Sequence, residues 1–180
     1  TPADLARDKS LYSIEKIRAA SDILLDPKGA SERVADMLRA ELPAQRYWAA
    51  LACVYLGKEV THKHKSTLQA LLKDPSRSVQ IAAAEALATF PTNKKGDNAA
   101  MEVLLANADP TTSSAYHAVA ALNALDHQPQ KVLEPYKQRI KRLPTNDPDV
   151  PGRPNGYAAR MHKHIASPIP DYFSWEKNNR

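Results

Sequence analysis

The chain has 180 residues, 43% hydrophobic and 25% charged, which suits one globular domain with at most an attached tail. Its single cysteine, Cys53, excludes an intrachain disulfide and a cysteine-based zinc site. No apolar run approaches the roughly 20 residues that span a bilayer, so we expect no membrane partner. The chain begins at Thr1 without an initiator Met or a signal peptide, and we therefore expect a mature chain or a piece of a longer protein.

The net charge of +5 is concentrated in the last fifty residues. Residues 1–130 carry 15 Lys/Arg and 15 Asp/Glu, whereas residues 131–180 carry ten and five. A basic stripe that grips a phosphate backbone should run along the fold, and this excess lies at one end. The charge pattern therefore argues against a nucleic-acid partner.

Most of the chain follows the 3.6-residue hydrophobic period of helices, and almost none of it alternates as strands do. The period predicts helices at 10–25, 31–42, 44–56, 64–73, 76–90, 98–107, 112–125, 130–142 and 157–166. Three Asp-Pro pairs mark boundaries between them, namely Asp26-Pro27, Asp74-Pro75 and Asp109-Pro110. Because Asp is a good N-cap and Pro fits the first helical turn, we predict that each pair starts a helix. Segments of this length with short loops predict consecutive antiparallel helices.

The composition changes at residue 143. The segment LPTNDPDVPGRPNG holds four prolines and two glycines in fourteen residues, which predicts an ordered but non-helical connector. We therefore divide the chain into helical repeats over 1–142 and a second part over 143–180. The second part comprises the connector, a short helix and an aromatic tail, packed on or near the repeats.

Three segments of the chain align with one another: QRYWAALACVYL (45–56), VQIAAAEALATF (79–90) and SAYHAVAALNAL (114–125). In this register two columns hold only alanine, Ala49 with Ala83 and Ala118, and Ala52 with Ala86 and Ala121. Small residues at helical spacing let two helices approach closely, and a unit of two helices cannot bury both faces alone. The repeats therefore predict stacked helix pairs. An irregular alanine-rich bundle is the alternative.

The segment LLKDPSRSVQIAAAEALATF (71–90) resembles a HEAT repeat, in which a helix ends in Leu-Leu-Lys-Asp and a Pro and a Val precede an alanine-rich helix. The first copy is degenerate, with Gln45 at the Val position, and the third departs further, with Ser114 there. The resemblance implies an all-α fold, a HEAT-like α-solenoid of three to four helix pairs with a non-helical C-terminal tail. Such arrays give a fold without a function.

A second resemblance covers roughly residues 8–165. LYSIEKI (11–17), RYWAALACVYLG (46–57), the Asp-Pro repeat and NGYAARMHKHI (155–165) follow one another in the order found in the helical-repeat region after the catalytic domain of many bacterial sulfatases. The resemblance implies the C-terminal piece of a periplasmic or secreted hydrolase of sulfate esters. It also implies that the partner is the preceding catalytic domain.

The residues themselves indicate no catalytic site, cofactor or metal. The sulfatase signature Cys/Ser-x-Pro-Ser-Arg is matched only in its last three positions, because Lys73 stands where the convertible residue belongs. His62 and His64 fall in a lysine-rich predicted loop, and His162 and His164 in a predicted helix on which residues i and i+2 diverge. Cys53 reads as a small buried hydrophobe. The five glycines never cluster as phosphate loops need, and His117 reads as a satisfied interior histidine.

Two groups of residues are candidates for binding. The basic group lies on the helix 131–142 and comprises Lys137, Arg139, Lys141 and Arg142. It forms either the solvated face of an end-capping helix or a site for an anionic ligand such as a sulfated polysaccharide. The aromatic group comprises Tyr172, Phe173 and Trp175, which we expect to dock on the chain's own helices, on a preceding catalytic domain or on another protein.

The sequence thus predicts a non-catalytic accessory or interaction domain, which the resemblance assigns to a bacterial sulfatase. The main alternative is a free-standing HEAT-repeat adaptor that binds another protein along its concave face. A third class is the basic helical-repeat proteins that bind nucleic acid. That class needs charge along the concave helices, and these helices are alanine-rich and nearly neutral.

Overall fold

A computed structural model describes residues 13–91, 98–144 and 165 of the chain. The regular structure of this part is entirely helical. Its α-helices are α1 (Ile14–Ser21), α2 (Pro27–Met37), α3 (Pro43–Leu56), α4 (Lys58–Lys63), α5 (Lys65–Leu71), α6 (Arg77–Thr89), α7 (Asn98–Ala108), α8 (Ala115–Asp126), α9 (Gln130–Leu133) and α10 (Lys137–Lys141). Two 3₁₀ turns, Asp22–Leu24 and Glu134–Tyr136, follow α1 and α9.

The predicted role of the Asp-Pro pairs is confirmed for one pair and wrong for the other two. Asp26 caps α2, where it accepts the backbone N–H of Gly29 at 3.1 Å. By contrast, α6 begins after Ser76 and α8 after Ser114. Asp74 and Asp109 each accept the N–H two residues ahead, at 2.8 Å in both cases. These two pairs therefore form Asx turns between helices, a use for which Asp followed by Pro is equally suited.

Three predicted helix boundaries also differ from the structure. The helix predicted at 31–42 spans Pro27–Met37, and the region predicted as a loop before residue 64 is the helix α4. Gly57 separates α3 from α4 with φ at +92°, a conformation that favours glycine. The helix predicted at 130–142 is interrupted by the 3₁₀ turn at Pro135, because proline lacks the N–H that an α-helix needs there.

The helices form a solenoid of stacked pairs. Within the pairs, α2 packs on α3, α5 on α6, and α7 on α8. The second helices of the pairs also pack on one another in chain order, α3 on α6 and α6 on α8. They form one continuous layer. Because α6 has neighbours on every side, residues 81–88 are all buried.

The alanine columns form the buried side of α3, α6 and α8, which we call the alanine seam. All six alanines of the two columns are fully buried, as the repeat register predicts. Cys53 lies beside Ala52 and is also fully buried, and burial raises the pKa of its thiol to about 12. The prediction that Cys53 is a small interior hydrophobe is therefore confirmed. Close packing of small side chains sets the distance between neighbouring repeats.

The second predicted part of the chain lies largely outside the described residues. Ile165 is the exception, since it is helical and is buried within the hydrophobic core. Among the described residues, the helices are all too short or too polar to cross a membrane.

Candidate functional site

The predicted basic group divides into paired and exposed cations. Arg139 donates two hydrogen bonds to the carboxylate of Glu102 on α7, at 2.5 and 2.8 Å. These bonds lower the pKa of the Glu102 carboxyl, and Lys137 forms an ion pair with Glu134. Lys141 and Arg142 are exposed. The anion site stays a prediction, and half of its cations are already neutralised by carboxylates.

A cleft of about 390 Å³ lies beside the basic group. Arg139 and Arg142 line it, and so do the carboxyl-bearing Glu102 and Asp109. The mixed charge of these walls gives little net attraction for a polyanion. The aromatic group of Tyr172, Phe173 and Trp175 lies outside the described residues, as do His162 and His164.

The loop predicted for His62 and His64 is wrong for His62, which lies in α4, whereas His64 is the turn residue between α4 and α5. His62 is in α4, and its Nε2 lies 3.0 Å from the carbonyl oxygen of Phe90. His64 is buried between α4 and α5, and its Nε2 has no hydrogen-bond partner among the described residues. Burial lowers the pKa of His64, with Lys63 and Arg39 adding to the effect, so the ring stays neutral near pH 7.

His117 is satisfied by hydrogen bonds but is only half-buried, which corrects its predicted interior position. Its Nδ1 lies 2.8 Å from Ser114 Oγ, and its Nε2 lies 3.4 Å from Ser78 Oγ on α6. A catalytic serine–histidine pair needs a carboxylate to orient the imidazole. Here a serine occupies that place, and burial lowers the pKa of His117. The contact joins α6 to α8 and does not form a catalytic triad.

A groove runs across the layer formed by α3, α6 and α8, and the sequence interpretation did not identify it. It encloses a cavity of about 240 Å³. Spacings of three and four residues place its lining on one side of each helix. The lining residues are Tyr47 and Leu51 from α3, Ser78, Ile81, Ala82 and Glu85 from α6, Tyr116, Ala120 and Asn123 from α8, and His127, which follows α8.

The groove positions are equivalent in the three repeats. In the alanine register, Tyr47 aligns with Ile81 and Tyr116, and Leu51 aligns with Glu85 and Ala120. The three helices therefore present the same two positions to the groove. The signal that could have revealed the groove was this register, extended from the alanine columns to the positions beside them.

One carboxylate lies in the groove. The side chain of Glu85 is 12% exposed, and its Oε1 lies 2.8 Å from Nδ1 of His127, whose side chain is 66% exposed. The hydrogen bond that His127 donates to Glu85 raises the pKa of His127, as do the charges of Glu85 and Asp126, against a smaller effect of burial. His127 therefore binds its proton more tightly than a solvated histidine.

Two tyrosines complete the groove. Tyr47 is half-buried, and burial, followed by the proximity of Tyr116 and Glu85, raises the pKa of its phenol. Tyr116 is 74% exposed, although it is a large and largely apolar side chain. Tyr55 is also exposed and follows Leu51 by four residues on α3. Tyr55 does not line the groove, whereas an apolar lining with the exposed Tyr116 is typical of protein-binding surfaces.

Among the described residues there is no cluster of three or more His, Cys, Asp or Glu that could hold a metal. The groove residues can contact a ligand by shape, through aromatic rings and through the charge of Glu85.

Comparison with known proteins identifies the repeat but gives no individual relative. A family model described as HEAT repeats matches residues 31–123, which is more than half of the chain and extends from α2 into α8. No curated protein and no solved structure matches the chain, so the sulfatase resemblance has no support from these comparisons. The family match covers the stacked helix pairs that carry the groove. The chain belongs to the family of HEAT-repeat proteins.

Proposed function

We propose that this chain is a non-catalytic interaction domain that binds a segment of another protein in the groove of α3, α6 and α8. The observation that carries the proposal is the groove itself, which equivalent positions of all three repeats line. Aromatic side chains such as Tyr116 supply much of the binding energy of protein interfaces. Tyr116 lines the groove and is 74% exposed, so it is accessible to a partner.

Binding fits the described chemistry better than catalysis does. The thiol of Cys53 is buried, with its pKa raised to about 12, and it is no nucleophile near neutral pH. The pair of Ser78 and His117 lacks an orienting carboxylate. His127 is held by Glu85, but the groove places no hydroxyl or thiol at hydrogen-bond distance from its ring among the described contacts.

The identity of the partner rests on the sequence alone. The resemblance over residues 8–165 favours the catalytic domain of a bacterial sulfatase, which would make the protein periplasmic or secreted. The alternative is an independent adaptor for another protein. The coding sequence upstream of Thr1 separates the two. A frame that continues into a Cys/Ser-x-Pro-Ser-Arg signature supports the sulfatase, and a nearby start codon supports the adaptor.

The groove is tested by filling it. Ala120 is half-buried and lines the groove, so Ala120→Trp should obstruct it without entering an alanine seam. Ala70 is exposed on α5, and Ala70→Trp is the matched control. Peptides are selected against the full chain from a random display library, and their affinities for the three proteins are measured by fluorescence anisotropy.

We expect Ala120→Trp to weaken the selected peptides at least about tenfold, the typical cost of losing an interface anchor. Ala70→Trp should leave the affinities unchanged. Peptides that bind Ala120→Trp as well as the natural chain would contradict the proposal, and so would failure to select any peptide.

A further inference from the structure

We propose that the groove recognises a basic side chain of the partner, an arginine or a lysine, with its charge against Glu85 and its stem along Tyr47 and Tyr116. The inference rests on the proposed function and names the chemistry of the segment that the groove binds. It assigns Glu85, Tyr47, Tyr116 and His127 to one recognition site.

The charge in the groove carries the first step. Glu85 is the single carboxylate among the described residues that line the groove, and only about an eighth of its side chain reaches solvent. A carboxylate removed from water is costly unless a cation or several hydrogen-bond donors compensate it. Its partner is the exposed ring of His127, which carries a charge only when protonated. A guanidinium or ammonium group would bring a permanent charge to the same oxygen atoms.

The tyrosines carry the second step. Tyr47 and Tyr116 line the same groove as Glu85, and Tyr47 lies close enough to Tyr116 and to Glu85 for both to raise the pKa of its phenol. The faces of aromatic rings attract cations, and the long alkyl stems of arginine and lysine pack on apolar surface. Leu51, Ala82 and Ala120 supply such surface. An anionic ligand would meet the carboxylate and gain none of these contacts.

His127 makes the recognition depend on pH. The charged or titratable groups around it are Glu85 on α6, the neighbouring Asp126, and Tyr47 and Tyr116, which line the same groove. When His127 is protonated, its imidazolium neutralises Glu85 and competes with an incoming cation. When His127 is neutral, the negative charge of Glu85 is available to the ligand. A basic side chain should therefore bind better at pH 8.5 than at pH 5.5.

The experiment uses N-acetyl-arginine methylamide as the probe and N-acetyl-norleucine methylamide as its uncharged control, each titrated into the full chain by ¹H–¹⁵N NMR. We expect the arginine probe to shift the amide signals around Ala82, Glu85 and Ala120, with a Kd on the order of 1–10 mM. Binding at pH 5.5 should be at least about fivefold weaker than at pH 8.5, since linked proton and ligand binding typically changes affinity by that much or more.

Two near-isosteric variants separate the contributions. Glu85→Gln removes the charge and should abolish measurable binding at both pH values. His127→Gln can still donate to Glu85 but cannot become charged, so binding should become independent of pH. Circular dichroism checks that both variants fold. If Glu85→Gln does not fold, the pH dependence of binding in His127→Gln tests the inference by itself.

Equal shifts by the norleucine probe, or a pH dependence that survives in His127→Gln, would overturn the inference. These outcomes differ from those that would refute the groove as a binding site. If Ala120→Trp blocks selected peptides that carry no enrichment of basic residues, the groove binds protein and only the assigned chemistry is wrong. If Ala120→Trp blocks nothing, both proposals are wrong.

Discussion

A buried ion pair joins the first two helix pairs, and its removal should cost several kcal/mol. Arg46 at the start of α3 donates two hydrogen bonds to Asp74 in the turn before α6, at 2.7 and 3.0 Å. The side chains are only 13% and 4% exposed. Arg46 also donates to the carbonyl oxygens of Ala40 and Glu41, so it joins the turns of two successive repeats.

The magnitude follows from the bonds that Asp74→Ala removes. Two of them are charge-assisted and nearly buried, at about 1.5–3 kcal/mol each, and the third is the bond from the Ser76 N–H, at about 1 kcal/mol. Breaking one partner of a buried pair typically costs 3–5 kcal/mol, because the other charge stays uncompensated. The carbonyl oxygens of Ala40 and Glu41 still accept from Arg46. We therefore expect a loss of about 4 kcal/mol, or roughly 8–16 °C in Tm for a chain of this size.

The assay is urea unfolding followed by circular dichroism. The chain offers a matched control in Asp109, which has the same Asp-Pro context and accepts the N–H and the hydroxyl of Thr111, but forms no ion pair with an arginine within the described residues. Because Asp109→Ala removes only these exposed bonds, it should cost about 1–2 kcal/mol. If the two variants lose the same free energy of unfolding, or Asp74→Ala loses less than about 1 kcal/mol, the ion pair does not join the repeats as argued.

Three further predictions concern buried side chains. Ala83→Leu overpacks the seam between repeats and should lower the free energy of unfolding by about 1–3 kcal/mol, whereas Ala99→Leu on the exposed face of α7 should change it little; equal melting curves would refute the seam. Burial lowers the pKa of His64, so below the unfolded pKa of about 6.5 the unfolded chain binds more protons than the folded chain, and stability falls with pH. His64→Leu should flatten this decline between pH 7.5 and 5, measured by urea unfolding. An unchanged decline would mean that other groups cause it. The thiol of Cys53 should react with a disulfide reagent only as fast as the chain unfolds, so rapid labelling in native buffer would contradict its burial.

The stacking of the helix pairs could be predicted from sequence because it depends on local periodicity. The alanine columns recur at offsets of 34 and 35 residues, and small residues that recur at helical spacing indicate closely packed helices. The helix starts were harder to predict. An Asp before a Pro can cap a helix, as Asp26 does, or close an Asx turn, as Asp109 does. The local sequence allows both arrangements, and a tertiary contact such as that of Arg46 with Asp74 cannot be read from it.

The pairing of the basic group with carboxylates could not be predicted from sequence. Arg139 finds its partner Glu102 thirty-seven residues earlier in the chain, on the neighbouring helix α7. Counting the charged residues near Arg139 in the sequence includes the arginine but not Glu102, the carboxylate that neutralises it. The groove was not predicted because Tyr47, Glu85 and Tyr116 lie on three different helices, each of which otherwise has the sequence pattern of a core helix. Only the superposition of three repeats brings them together.

Stacking and recognition use different positions of the same helices. In α3, α6 and α8 the seam position holds Ala49, Ala83 and Ala118, with no variation. The position two residues earlier lies roughly 200° around the helix, faces the groove, and holds tyrosine, isoleucine and tyrosine. The position two residues after the seam also faces the groove and holds leucine, glutamate and alanine. A seam tolerates only small side chains because neighbouring helices meet there, whereas a groove position is free to differ from one repeat to the next. If the groove binds a protein segment, as we propose, the groove positions distinguish this array from other HEAT arrays, and Glu85, the one charged residue at the aligned positions, gives the groove its preference for a cationic ligand.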